Sequence, residues 1–160
     1  MCRAIDAAYY LLSVAKDKSI SITNLKLQKL IYIANGYMLA LHNRPLIKES
    51  PQAWKYGPVI HSIYEQFKQY ADRSINVDTG ALDKNLLSAE AKEIINDVVD
   101  LYGNDSAIDL VKLTHQVETP WDEVWNKRGG KESLFAEIES DLIKNHFLKA
   151  VTDPSSVQGL

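Results

Sequence analysis

The sequence predicts a mainly all-α fold, a compact single-domain bundle of about six to seven helices with a short β-hairpin near 46–56. Three observations predict it. A chain of 160 residues is the usual size of one domain, and 46% hydrophobic with 24% charged residues is ordinary for a chain that packs a core. Apolar residues recur at helical spacing almost everywhere. Breaks fall at Gly, Pro and Asn clusters, and no internal repeat or low-complexity run interrupts the pattern. The domain is expected over 1–150, followed by a flexible tail over 151–160.

The first helix is expected over about 4–16, where Ile5, Ala8, Tyr9, Leu12 and Ala15 form one stripe. A second starts at the cap Thr23, with Ile22 and Leu27 placed to form a hydrophobic staple. Its apolar stripe is Leu27, Leu30, Ile31, Ala34, Met38 and Leu41, and it ends near His42. Residues 44–57 hold Pro45 and Pro51 and read as loop or a short extended hairpin. Gly57 then leads into a third helix with Pro58 at its first position and Val59, Ile60, Ile63, Tyr64, Phe67 and Tyr70 inward.

Residues 72–87 read as a surface loop with a brief strand at 75–77. Ser88 caps a fourth helix whose Ile94, Ile95, Val98, Leu101 and Tyr102 line one side until Gly103. Asn104-Asp105-Ser106 caps a fifth running to about Val117, and Thr119 with Pro120 starts a short sixth bearing Trp121, Val124 and Trp125. A last helix lies between 133 and 149, with Ile138, Leu142, Ile143 and Phe147 inward and either Ser133 or Ser140 as its cap.

Eighteen Lys plus Arg against twenty-one Asp plus Glu give a net charge of −3, so nothing global draws the chain to nucleic acid or anionic membrane. No apolar run is long enough to cross a bilayer. Asp6 stands where a signal peptide needs its apolar segment, and the single Cys2 cannot form an internal disulfide, so the expected location is the cytoplasm.

Candidate chemistry is sparse. His115 and Glu118, three apart, share a helix face and could supply two metal ligands of a small hydrolase, but no motif supplies a third. The simpler reading of His115 is a helix C-terminal residue bonding free carbonyls. Gly129-Gly130 reads as a turn. Trp54, Trp121 and Trp125 either lie in the core, or stack a base or plug a partner's pocket. Helices five and six could form a helix-turn-helix for an autoregulator, with Lys127, Arg128 and Lys131 on phosphate. Asp122 and Glu123 at the head of the second helix argue against that, and no catalytic residue, cofactor or metal is expected.

Three motifs together are distinctive. They are Thr23-Asn24-Leu25-Lys26-Leu27-Gln28-Lys29-Leu30-Ile31-Tyr32 with Gly36-Tyr37, then Ala53-Trp54-Lys55-Tyr56-Gly57-Pro58-Val59, then Thr114-His115 with Pro120-Trp121. In this order they resemble the Panacea domain family, also called SocA-like or GepA-like, over about residues 5–148. The resemblance implies an antitoxin of a bacterial or phage toxin–antitoxin system. Its partner would be a cognate protein toxin, encoded by an adjacent gene and neutralised by direct binding. One branch of the family delivers its toxin to a cytoplasmic ATP-dependent protease. The chain begins almost at its first helix and resembles the stand-alone form.

The family-motif residues expected at or near a protein-binding site are Gln28, Lys29, Tyr32, Trp54, Tyr56, Gly57, Pro58, Thr114, His115 and Trp121. Tyr32 reads as scaffold. Gln28 and Lys29 lie partly off the apolar stripe and face either a neighbouring loop or a partner. Thr114, His115 and Trp121 are expected to fix the corner between the fifth and sixth helices.

Overall fold

In the computed structural model, which describes residues 1–160, seven helices and one hairpin follow one another along the chain. They are α1 (Ala4–Asp17), α2 (Asn24–His42), β1 (Gln52–Trp54), β2 (Gly57–Val59), α3 (His61–Phe67), α4 (Ala89–Tyr102), α5 (Ala107–Thr114), α6 (Pro120–Asp122) and α7 (Ser140–Thr152). The mainly all-α fold is as the periodicity predicts. Four of the expected caps form: the hydroxyls of Thr23, Ser88, Ser106 and Thr119 accept from the N–H groups of Lys26, Ala91, Asp109 and Asp122.

Helix α2 is the axis of the fold, packed against α1, α3, α4, α5, α7 and β2. A helix enclosed in this way must bury its polar side as well as its apolar stripe. Asn24, Lys26, Gln28, Lys29 and Asn35 are accordingly all buried. The Oδ1 of Asn35 accepts from the N–H groups of Leu46 (2.9 Å) and Ile47 (3.4 Å), tying the chain after α2 back to its middle. Gly36 lets α7 approach, since a Cβ there would run into the Phe147 ring. Phe147 in turn meets Tyr37 edge-on at 5.3 Å and Tyr32 at 5.9 Å.

Several expectations need correction. Pro58 does not open a helix, and the hairpin spans 52–59 instead of lying near 46–56. The pairing is Gln52 with Val59, Ala53 with Pro58 and Trp54 with Gly57. Ala53 N–H points away from β2 to Ala136 O (2.8 Å), so Pro58 faces it across a pair that needs no proline N–H. Helix α3 therefore starts at His61. Leu41, Tyr64 and Leu101, expected inward, are exposed. The brief strand at 75–77 is only a bridge, Ser74 with Thr23 and Ile75 N–H to Ile22 O.

Helix α5 stops at Thr114, short of Val117. The sixth helix is one α turn continued by a π turn over Glu123–Lys127. Ile138 is buried ahead of α7, whose cap position is held by Glu139. Helix α7 runs unbroken past residue 150, and the expected flexible tail is docked. Leu160 is buried, its N–H donates to Leu113 O (2.8 Å), and His146 Nε2 donates to Gly159 O (2.6 Å). Val151 and Thr152 extend α7, and the buried Leu160 side chain with these two bonds anchors the last residues. No helix is long and apolar enough to cross a membrane.

Candidate functional site

The strands β1 and β2 are joined by Lys55-Tyr56, and Gly57 takes φ +101°, a conformation that L side chains rarely adopt. A two-stranded hairpin is marginal by itself, so its geometry must be imposed from outside. Four side chains from two distant parts of the sequence do this. The Lys29 ammonium donates to Pro58 O (2.7 Å), and Gln28 Oε1 accepts from Ile60 N–H (2.8 Å). Gln28 Nε2 donates to Asn24 Oδ1 (3.1 Å), which fixes which way the amide faces. From the other side, Trp121 Nε1 donates to Trp54 O (2.6 Å) and His115 Nε2 to Lys55 O (3.2 Å).

Close packing completes the seat. A Cβ on Gly57 would stand 3.0 Å from Lys29 Nζ and 3.4 Å from Thr114 Oγ1, so a side chain there would press on both as well as strain φ. Thr114 donates back to Leu110 O (2.9 Å) and ends α5. The His115 ring stacks on Trp121 at 3.8 Å between centroids. The corner that aims these rings turns at Glu118, φ +63°. Burial opposes the charge of Asp122, but hydrogen bonds from Asn126 Nδ2 (2.7 Å) and Glu118 N–H (2.8 Å) outweigh it and hold that carboxyl below its ordinary range.

Lys29 is fully buried with no carboxylate beside it, and burial alone pushes its amine down to about 7. Tyr32 is the one predicted site residue that stands apart from the hairpin. Burial pushes its hydroxyl up, and that hydroxyl has no hydrogen-bond partner. Between the two alternatives for Gln28 and Lys29, the structure places both against the neighbouring hairpin.

What the buttress presents outward is aromatic. Trp54 packs on Tyr64 at 5.0 Å, Phe135 at 5.7 Å and His61 at 5.9 Å, and His61 meets Phe135 at 5.3 Å. Tyr56 at the tip is 62% exposed, Phe135 49% and Leu134 87%. Two grooves flank Trp54 and Lys55, which line both. One, about 560 Å³, lies between the hairpin, the start of α2 and α3, and the other, about 260 Å³, lies between the hairpin, Trp125 and 133–135. Sequence reasoning missed Leu134, Phe135, His61 and Tyr64 here. The available signal was Leu134-Phe135, two large apolar residues adjacent in a polar stretch after Gly129-Gly130 and off the inward stripe of Ile138, Leu142, Ile143 and Phe147.

The hydrolase reading does not find its geometry. The Nε2 of His115 is engaged by Lys55 O, and no group of three or more His, Cys, Asp or Glu side chains is placed to hold a metal ion. The helix-turn-helix reading does not find a regular recognition helix, because the α turn Pro120–Asp122 passes directly into a π turn over Glu123–Lys127 and buries Trp121, Asp122 and Val124.

Together these features define a helical domain that holds a rigid, aromatic-tipped hairpin out from its core, with the motif residues serving as its seat. The chain belongs to the antitoxin SocA-like family, Panacea domain, whose family model matches residues 27–122. It is also 33% identical over 159 residues to Antitoxin SocA of Caulobacter vibrioides (strain NA1000 / CB15N), an alignment covering 91% of this chain and 84% of that protein. No solved structure matches the chain. The matched span contains the whole hairpin and every side chain that buttresses it, from Gln28 to Trp121.

Proposed function

We propose that the chain is an antitoxin that neutralises a protein toxin by occupying its surface, with the toxin encoded by an adjacent gene. Family membership supports the antitoxin role. The observation that carries the binding mode is that the family motifs converge on one exposed hairpin instead of on a cluster of reactive groups. A specific interface buries about 800 Å² per partner, roughly a tenth of the 8179 Å² this chain exposes. Free antitoxin at about 100 times Kd leaves about 1% of the toxin free, so nanomolar binding suffices without turnover.

Co-expression tests the reading. The neighbouring gene product should be lethal alone and harmless with matched levels of this chain, and continued lethality would remove the antitoxin role. Toxin half-life separates occupancy from delivery to an ATP-dependent protease. Occupancy leaves it unchanged, whereas an adaptor shortens it.

A further inference from the structure

Resting on that antitoxin reading, we propose that the hairpin face binds a protein segment carrying both apolar side chains and carboxylates. The apolar groups fill the two grooves beside Trp54, and the carboxylates meet Lys55 and Lys131.

Charge selects this occupant. The chain is net acidic, at −3, yet the two grooves are lined by Lys29, Lys55, Lys68 and Lys131 and by no Asp or Glu. Lys68 is paired with Glu65, whereas Lys55 and Lys131 have no ion-pair partner, and Lys55 rests over the Tyr56 ring at 5.4 Å. The groove between α6 and α7, by contrast, mixes Glu118 and Glu123 with Lys127 and Lys149. Unpaired ammonium groups beside apolar, partly desolvated walls are suited to receive carboxylates and to set both encounter rate and orientation. The exposed aromatic residues supply the large, stiff contact area typical of interface anchors.

Other occupants fit less well. A second copy of this chain would bring the same lysines face to face across a two-fold axis. Single-stranded nucleic acid stacks bases on free ring faces and favours arginine, but these rings already pack against one another and no arginine lines either groove.

The experiment uses the full chain and the toxin whose lethality the wild type suppresses. A Lys55→Glu/Lys131→Glu double variant and a Leu134→Asp variant change only exposed side chains, and thermal unfolding checks that each stays folded. Each should lose affinity by about 30-fold or more, while Lys84→Glu, outside both grooves, stays within about threefold of wild type. Wild-type affinity should fall as salt rises from about 0.05 to about 0.5 M, and the double variant should lose most of that dependence. Suppression and affinity equal to wild type in both variants would overturn the surface assignment while leaving the antitoxin role intact. So would loss of binding to a thymidine oligonucleotide with toxin binding unchanged. Failure of the wild type to suppress any neighbouring gene product overturns the antitoxin reading and this inference with it.

Discussion

The indole N–H of Trp121 donates to the backbone carbonyl of Trp54 at 2.6 Å, joining residues 67 apart in sequence. The bond ties the α5–α6 corner to the hairpin, and His115, stacked on the same indole, bonds the next carbonyl, that of Lys55. The corner thus grips both carbonyls at the start of the turn, which makes the tip's position a property of the core.

Trp121→Phe keeps most of the ring packing and removes the donor, leaving the Trp54 carbonyl without its indole partner. The expected loss is about 1–2 kcal/mol, or about 2–8 °C in Tm for a domain of this size. Thermal unfolding measures it. Toxin affinity should fall as well, because the hairpin loses its lateral tether.

Lys29 makes stability depend on pH. Its amine is held near 7 in the folded chain against about 10.4 unfolded, so between these values the unfolded chain binds the extra proton. Stability from this group therefore rises with pH across about 7 to 10 and is lowest below 7, where the buried amine must carry its charge. The slope approaches about 1.4 kcal/mol per pH unit, and Lys29→Met should abolish it. Urea denaturation of both proteins at several pH values checks this, and equal slopes would show that the amine does not titrate there.

Gly36→Ala should destabilise although alanine is the better helix former. The added methyl gains about 1 kcal/mol of propensity but overlaps the Phe147 ring, and forced repacking of a filled core costs about 1–3 kcal/mol. A small net loss in Tm is expected in Gly36→Ala, with partial recovery when Phe147→Leu is added. A Tm above wild type in the single variant would mean that α7 yields freely.

The docked chain end predicts slow hydrogen exchange at the Leu160 amide, which donates to Leu113 O. Leu160→Ala removes buried apolar surface and should abolish that protection while lowering stability by about 1–2 kcal/mol. Exchange at the rate of a free peptide in the wild type would return residues 151–160 to a flexible tail.

Much of the helical scaffold was legible because its signals are local. Thr23, Ser88, Ser106 and Thr119 each cap within three residues, and apolar spacing marks the helices between them. The hairpin was mislocated because Gly57-Pro58 satisfies two local rules at once, a turn and a helix start. Only pairing with Ala53 and Trp54 chooses between them. The motif residues of the site were legible by resemblance, and their work was not. Leu134 and Phe135 escaped notice because their neighbours, Trp54 and His61, lie more than seventy residues away in the chain.

By itself the sequence determined a mainly helical chain, its caps and breaks, and its family, since those are written in short spacings and ordered motifs. Tertiary structure decided that the polar side of α2 faces inward, that the last residues dock, and that Trp54 stands between two lysine-lined grooves. The physical reason is burial. Once α2 is surrounded, Gln28 and Lys29 must find backbone partners, and the hairpin supplies them.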